Sequence, residues 1–298
     1  IIGEGQPARD LAKEIELRPY LGYKLINLDQ HQELLAQIQE KKIDTIIIPS
    51  DIKDNPALIE SLYRCLPARV NFLDWTKAYE IICNKIPVDF INHAWLLENI
   101  KEGEKSFYDK TKQSIDIVLA LVLLIVTSPL WLLIALLIKI EDGGPILYRQ
   151  ERIGKDKKPF FLFKFRSMNV GAESKTGPVW SAKEDPRVTK VGRLLRKAHL
   201  DELPQMINVL KEDIGLVGPR PERPEFVEKL EKEIPHYHIR HLIKPGFTGW
   251  AQIKFRYGRS IIDSQEKFQY DLYYLKNRSP FLDLGVLLKT IQLFFKKE

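Results

Sequence analysis

Cysteine is nearly absent from this chain. Only Cys65 and Cys83 occur in 298 residues, which excludes a disulfide framework and the paired spacings that hold zinc, and suits a reducing, cytosol-facing environment. Long hydrophobic runs are just as scarce, with a single one, "LALVLLIVTSPLWLLIALLIKI", from Leu119 to Ile140. No secretory signal pattern is present, and no nucleic-acid module or stacking motif accompanies the basic residues, so nucleic acid is not the expected partner. The opening "IIGEGQPARDLAKEI" has two strand-like residues before its glycine turn, which reads as a fragment whose upstream part is missing.

What is present describes a protein able to bury a sizeable core, with room for two domains: 44% of residues are hydrophobic and 29% charged. The net charge of +6 is unevenly spread, because residues 1–100 carry 11 basic against 15 acidic side chains. All the positive excess therefore lies in the part that also holds the apolar run. Positive charge beside a membrane segment points to anionic headgroups or phosphorylated substrates.

Residues 1–92 alternate short apolar runs with helical patterns: "II", Ala8 to Glu16, "YKLINL", Gln30 to Gln39, "DTIIIPS", Pro56 to Tyr63 and "RVNFLD". That rhythm is βαβαβ, a Rossmann-like parallel sheet of the CoA- or nucleotide-binding kind. Gly3, Gly5 and Ala8 form GxGxxA at the first turn, and Asp29 ends the second strand about where a ribose-binding acid would sit. The same glycines also suit a tight turn with close helix packing. Residues 93–113, polar and charged, read as a linker.

The membrane-associated region follows, 114–298. Ile115 to Ile140 carries charge only at Asp116 and Lys139, and as one straight helix it would extend about 39 Å, beyond the ~30 Å of a hydrocarbon core. Pro129 removes a backbone donor, so a kink is expected near Thr127 and Ser128, where the serine hydroxyl can satisfy a freed backbone group. Lys105, Lys110 and Lys112 precede the run, while Lys139, Arg149, Arg152, Lys155, Lys157 and Lys158 follow it. Positive charge at both ends favours a re-entrant helix over 115–140 that turns at Ser128 and Pro129 and returns; a proline-kinked single span is the alternative. Beyond it, "PILYRQERIGKDKKPFFLFKFRSM" reads as a small β-hairpin turning at Gly154 to Lys158, with Phe161, Phe163 and Phe165 on one face and Leu162, Lys164 and Arg166 on the other. The tail, Phe281 to Glu298, has the pattern of a helix lying in the membrane interface or packing on the core.

The chemistry concentrates in "GRLLRKAHLDELPQMINVLKEDIGLVGPRPERPEF", Gly192 to Phe226. Asp201 before Pro204 suits a helix N-cap. The alternative is a site, since Arg193, Arg196 and Lys197 precede the Asp201–Glu202 pair and Gly218-Pro219-Arg220-Pro221 follows it. Arginines bind phosphate oxygens bidentately, and paired carboxylates can hold Mg²⁺ against a diphosphate. His236, His238 and His241 in "HYHIRH" share neither a helix face nor a strand face, which argues against metal binding there. Trp180 and Trp250 suit either a ligand border or a core.

"LDELPQMINVLKEDIGLVGPRPERPEF", together with "GPILYRQERIG", "FKFRSM" and "KPGFTGWAQI", resembles the bacterial sugar transferase family, the monotopic phosphoglycosyl transferases that act on polyprenyl phosphate. The likeness covers about Lys105 to Glu298, and the part before it is similar to the Rossmann-like domain that larger members carry behind a transmembrane bundle, here absent. The resemblance implies a mostly helical catalytic domain at the cytoplasmic face of the bacterial inner membrane, with a helix folded back into one leaflet. It implies transfer of a sugar 1-phosphate from a UDP-sugar to undecaprenyl phosphate, with release of UMP and with Mg²⁺, to start an exopolysaccharide, O-antigen or glycoconjugate. Asp201 would be the nucleophile that forms an aspartyl-phosphosugar intermediate. Glu202 would share Mg²⁺ with it, and Arg196, Arg220, Lys164 and Arg166 would bind substrate phosphates. The chain departs from the more usual Gly-Asp-Met-Ser at Glu212 and Ile214. A nicotinamide-dependent sugar-nucleotide enzyme and a membrane-tethered nucleotide-sensing scaffold are the competing readings, and the N-terminal domain leaves room for a homodimer.

Overall fold

The computed structural model describes residues 6–28, 34–48, 52, 55–172, 177, 185–255, 258 and 260–295. Two compact units divide the chain between Leu96 and Leu97.

The first unit holds α1 (Gln6–Glu16), α2 (Leu34–Lys41), β1 (Thr45–Ile48), α3 (Pro56–Tyr63), β2 (Asn71–Asp74) and α4 (Trp75–Cys83). β1 and β2 pair in parallel from Thr45↔Asn71 to Ile48↔Asp74, with α3 as their crossover. α3 starts where the Asn55 side chain accepts from Leu58 N (3.1 Å) and Pro56 presets the first turn. Asp74 closes β2 and caps α4, accepting from Thr76 N at 2.8 Å. Leu11, Trp75, Ala78 and Ile82 form one buried cluster, and Leu34, Ile38, Ile46, Leu58 and Leu62 another. The expected strand "YKLINL" is not one among the described residues. Leu25 packs on the first cluster and Leu28 in the second, and its backbone bridges only at Leu28. Burial made the segment look like a strand, but a strand also needs a neighbour along its length. Gly3, Gly5 and Asp29 of the glycine fingerprint lie outside the described residues.

Residues 93–113, expected as a linker, are helical: α5 (His93–Asn99), a 3-10 turn (Glu102–Lys105) and the start of α6 (Ser106–Asp142). Asn92 caps α5 by accepting from Trp95 N (2.9 Å). Arg278 binds Glu102 through two bonds of 2.7 Å and reaches Asp109 Oδ2 at 3.1 Å, so charges that look solvated in sequence are tied into the second unit.

α6 runs through Pro129 without a break in helical assignment. The proline cannot donate to Ile125 O, and Ser128 Oγ donates to that carbonyl instead at 2.8 Å. Thr127 Oγ1 does the same to Leu123 O (2.6 Å) and accepts from Trp131 Nε1 (3.2 Å). The freed carbonyl is thus satisfied within the helix, which is why the expected turn appears as a proline inside a continuous element. Among the described residues one helix is long and apolar enough to cross a membrane, with 11% of its apolar window buried. Residues 121–133 include no buried position. The buried positions lie on either side of them: Asp116 and Ala120 before, Ile134 and Ile138 after.

The hairpin forms as expected, β3 (Leu147–Ile153) antiparallel to β4 (Pro159–Phe165) with Leu147↔Phe165 and Ile153↔Pro159 in register. α7 (Lys190–Lys197), α8 (Gln205–Leu210), β5 (Gly215–Val217), α9 (Pro224–Glu233), β6 (Gly246–Thr248), α10 (Trp250–Lys254), α11 (Ile261–Asn277) and α12 (Pro280–Phe295) complete the unit. β5 and β6 form a short parallel pair. Tyr274 of α11 is buried beneath it, with its hydroxyl 3.2 Å from Val217 O and 2.7 Å from Asp283 Oδ1 of α12. α12 turns Asp283 and Val286 inward and leaves Phe281, Leu284, Leu288 and Ile291 exposed.

Candidate active site

Asp201 and Glu202 sit in a 3-10 turn, Leu200–Glu202, entered through His199 in the left-handed region (φ 52°) directly after α7. α7 is placed by Gly192, where an added Cβ would lie 2.0 Å from Ser167 O. No larger residue allows that approach. α8 begins only at Gln205, so Asp201 does not serve as the helix N-cap that its position before Pro204 suggests.

Adjacent residues of a 3-10 turn point about 120° apart, and the two carboxylates go to different environments. Glu202 Oε1 accepts from Lys164 Nζ at 2.8 Å and from Arg220 at 2.6 Å. Asp201 is only 8% exposed, yet among the described residues its carboxylate makes no hydrogen bond or ion pair. One acid is pinned by two cations; its neighbour is buried and has cations near it but none bonded to it.

The cations are delivered by elements far apart in sequence. On β4 the face bearing Leu162 and Lys164 is turned inward, while Phe161 is exposed. Asn208 of α8, fully buried, fixes that strand by accepting from Phe163 N (3.0 Å) and donating to Phe161 O (2.7 Å). Arg220 rides on the Gly218–Pro221 loop. Gly218 N donates to Thr248 O (2.9 Å), Arg240 donates to Arg220 O (2.9 Å), and Arg152 donates to Pro221 O (2.9 Å). Arg240 is in turn held by Asp271 at 2.8 Å. Asn208 and Arg240 were not singled out from sequence, and Arg152 only as a charge following the apolar run; their partners lie 20–69 residues away, beyond any local pattern.

The remaining expected phosphate ligands divide. Arg196 Nε donates to Ser167 Oγ (2.8 Å), and its charge acts on Asp201. Arg166 is buried and engaged elsewhere, gripping Asp142 with both terminal nitrogens and donating Nε to Pro145 O (2.7 Å). The structure therefore groups Asp201, Glu202, Lys164, Arg196 and Arg220, and sets Arg166 at the end of α6.

Burial, then the charge of Glu202, pushes the Asp201 carboxyl above the ordinary aspartate range, against Lys164 and Arg196. Burial also pushes Glu202 upward, but Arg220 and Lys164 outweigh it and hold the group well below the usual range. Burial lowers Lys164 and Glu202 opposes that; Glu202 raises Arg220. Two neighbouring acids are thereby split in basicity, the arrangement by which one serves as reactive base or nucleophile while the other anchors charge.

As donors for a divalent cation, Asp201 offers oxygens that no protein group occupies, whereas Glu202 shares Oε1 with two cations. That set fits Mg²⁺, which takes one or two carboxylates and completes its shell with water and substrate phosphate. Among the described residues no three His, Cys, Asp or Glu gather as a metal site. The histidines of "HYHIRH" lie in and beside a 3-10 turn, Tyr237–Leu242; burial pushes His241 down to about 3. Trp250 stacks on Tyr273 at 5.5 Å, and Trp180 lies outside the described residues. Glu212 adopts φ 64°, a conformation that favours glycine.

The family model for "Bacterial sugar transferase" matches residues 107–297, spanning α6, the hairpin and the acid pair. The chain belongs to the bacterial sugar transferase family. It is 36% identical over 248 residues, 82% of its length, to the UDP-N-acetylgalactosamine-undecaprenyl-phosphate N-acetylgalactosaminephosphotransferase of Aeromonas hydrophila. It is 31% identical over 98% of its length to the undecaprenyl-phosphate glucose phosphotransferase of Komagataeibacter xylinus. The chain spans 58% of the length of each of these relatives. Against the exopolysaccharide production protein PSS of Rhizobium leguminosarum it is 37% identical over 60% of its length and covers 92% of that protein. The sugar transferase region thus includes every residue of the acid–cation cluster, while the match to the Komagataeibacter protein, over 98% of the chain, takes in the first unit as well.

Proposed function

We propose that the protein transfers a sugar 1-phosphate from a UDP-sugar to polyprenyl phosphate at the cytoplasmic face of a bacterial membrane, and so starts a surface polysaccharide or glycoconjugate. The observation that carries this reading is the asymmetry of the acid pair. A carboxylate that accepts no hydrogen bond from the described residues, in a partly desolvated place beside cations, is a reactive nucleophile toward an anionic substrate that the cations can hold.

An oxygen of Asp201 attacks the β-phosphorus of the UDP-sugar. The bond from that phosphorus to the bridging oxygen breaks, UMP leaves with the electron pair, and the sugar phosphate remains on Asp201 as an acyl phosphate. An oxygen of polyprenyl phosphate then attacks the same phosphorus and Asp201 leaves as carboxylate, giving the polyprenyl diphosphate sugar. Arg220 and Arg196 steady the charge moving onto the phosphoryl oxygens, and Glu202 keeps Arg220 and Lys164 aimed at one place. Mg²⁺ bound by Asp201, with Glu202 beside it, would screen the repulsion between carboxylate and diphosphate.

The helix arrangement supports access to a lipid substrate. Asp116, before the exposed stretch of α6, accepts from Leu216 N at 3.1 Å; Ile134 and Ile138, after it, pack with Phe165 and Leu195. Both flanks hold the same unit, as a helix that enters one leaflet and returns requires, and a span with ends on opposite faces does not. The relatives' names include both glucose and N-acetylgalactosamine, so the donor sugar is a property to be measured. The test is UMP release from a panel of UDP-sugars with Mg²⁺ and a short polyprenyl phosphate. Wild type should release UMP and become labelled by phosphosugar, and Asp201→Asn should do neither; a near-normal rate in that variant removes Asp201 as nucleophile.

A further inference from the structure

The last turn of α6 ends in two acids that the reaction above does not use. Glu141 Oε1 accepts from Lys190 N (2.7 Å) and Val191 N (3.1 Å), the first two amides of α7. The third, Gly192 N, donates to Thr189 Oγ1 at 2.9 Å, and Arg193 N makes the first bond within the helix, to Thr189 O. Three amides that a helix start leaves without partners are therefore all satisfied, two of them by a side chain from another helix 49 and 50 residues earlier. Asp142, the next residue, holds Arg166. Ser167 follows Arg166 and receives both Thr189 N, on its carbonyl at 3.2 Å, and Arg196 Nε, on its hydroxyl at 2.8 Å. The end of α6 thus grips the first turn of α7 and the residues just after β4 in one closed ring.

From α7 the path to the acid pair is short. The helix ends at Lys197, and the 3-10 turn bearing Asp201 starts three residues later. With its first turn fixed, α7 has little freedom to rotate or slide without moving Arg196 and Asp201.

We propose that Glu141 is a positioning residue, through which the apolar helix α6 sets where Arg196 and Asp201 stand. The proposal rests on the reading of Asp201 as nucleophile for its kinetic part; its geometric part is independent of that reading. What matters is where the acceptor lies more than the charge. Glutamine keeps the carbonyl oxygen at the same reach, while aspartate keeps the charge and withdraws the oxygen by one methylene. Glu141→Gln should retain kcat within about threefold, since the two bonds persist in neutral form. Glu141→Asp should lose about tenfold or more in kcat with little change in KM for the UDP-sugar, because misplaced reacting groups cost rate before affinity.

The experiment compares both variants with wild type as full chains in the same lipid nanodiscs, by steady-state UMP release and by hydrogen–deuterium exchange of the amides between residues 190 and 203. Faster exchange there in Glu141→Asp, with kcat lost and glutamine rescuing both, is the expected result. Unchanged exchange in Glu141→Asp overturns the proposal. So does a kcat that follows charge, low in glutamine and normal in aspartate, or exchange that rises with no loss of kcat, which would make the contact merely structural. If wild type releases no UMP from any donor, the reading of the reaction fails while exchange still decides whether Glu141 fixes α7.

Discussion

Replacing Lys164 by methionine removes one of the two cations on Glu202 while nearly preserving side-chain volume, so the effect reports charge more than a cavity. Arg220 stays at 2.6 Å, so Glu202 is not orphaned, and the expected loss is that of one charge-assisted hydrogen bond, about 1.5–3 kcal/mol. The unit involved, Leu97–Glu298, is of a size at which each kcal/mol moves Tm by roughly 2–4 °C. Thermal unfolding followed by circular dichroism in one fixed detergent should therefore show Tm lower by roughly 3–12 °C. Glu202 in the folded protein titrates well below its usual range, so its contribution is present above the ordinary glutamate pKa of about 4.3 and is lost as pH falls through the depressed value. In Lys164→Met the folded-state value is less depressed, so that loss should be smaller and complete at higher pH. A double-mutant cycle with Glu202→Gln should give a coupling of about 1 kcal/mol or more. Additivity within about 0.5 kcal/mol, the behaviour of independent sites, would refute the claim that Lys164 is there to hold Glu202.

Asp201→Asn should unfold at higher temperature than wild type while losing turnover. Because the carboxyl is raised in the folded state, its ionised form costs stability above the folded pKa, and the difference between the proteins should vanish below the unfolded value of about 3.9. Glu212→Gly should stabilise by about 0.5 kcal/mol, since relief of left-handed strain, about 1 kcal/mol, exceeds the added chain entropy of glycine, about 0.5 kcal/mol; a lower Tm would count against it. Pro129→Ala restores an amide that competes with Ser128 Oγ for Ile125 O and should favour a straight span. Cysteine accessibility at residues 110 and 145 should report one membrane side in wild type and opposite sides in the variant, and opposite sides already in wild type would exclude re-entry.

The parts of the fold legible in sequence are those written locally. The apolar run with its serine and proline, the hairpin around Gly154 to Lys158, α3 behind Asn55-Pro56 and the helical tail each declare themselves within a dozen residues. The acid pair and Arg220 were legible as residue types in one stretch. Their division of labour was not, because it depends on Lys164 arriving from a strand 38 residues earlier and on Asn208 fixing that strand. The N-cap reading of Asp201 failed for a similar reason: His199 turns the chain left-handed first, and a non-glycine residue in that region is set by its surroundings. The supposed linker looked solvated because the partner of its acids Glu102 and Asp109, Arg278, lies about 170 residues on.

A carboxylate left unsupported in a desolvated place has a practical consequence for anyone improving this protein. Heat-challenge selection rewards whatever relieves that discomfort, and the quickest relief is to neutralise Asp201. Libraries ranked on survival alone would therefore drift toward robust corpses, and sorting by product formation has to come first.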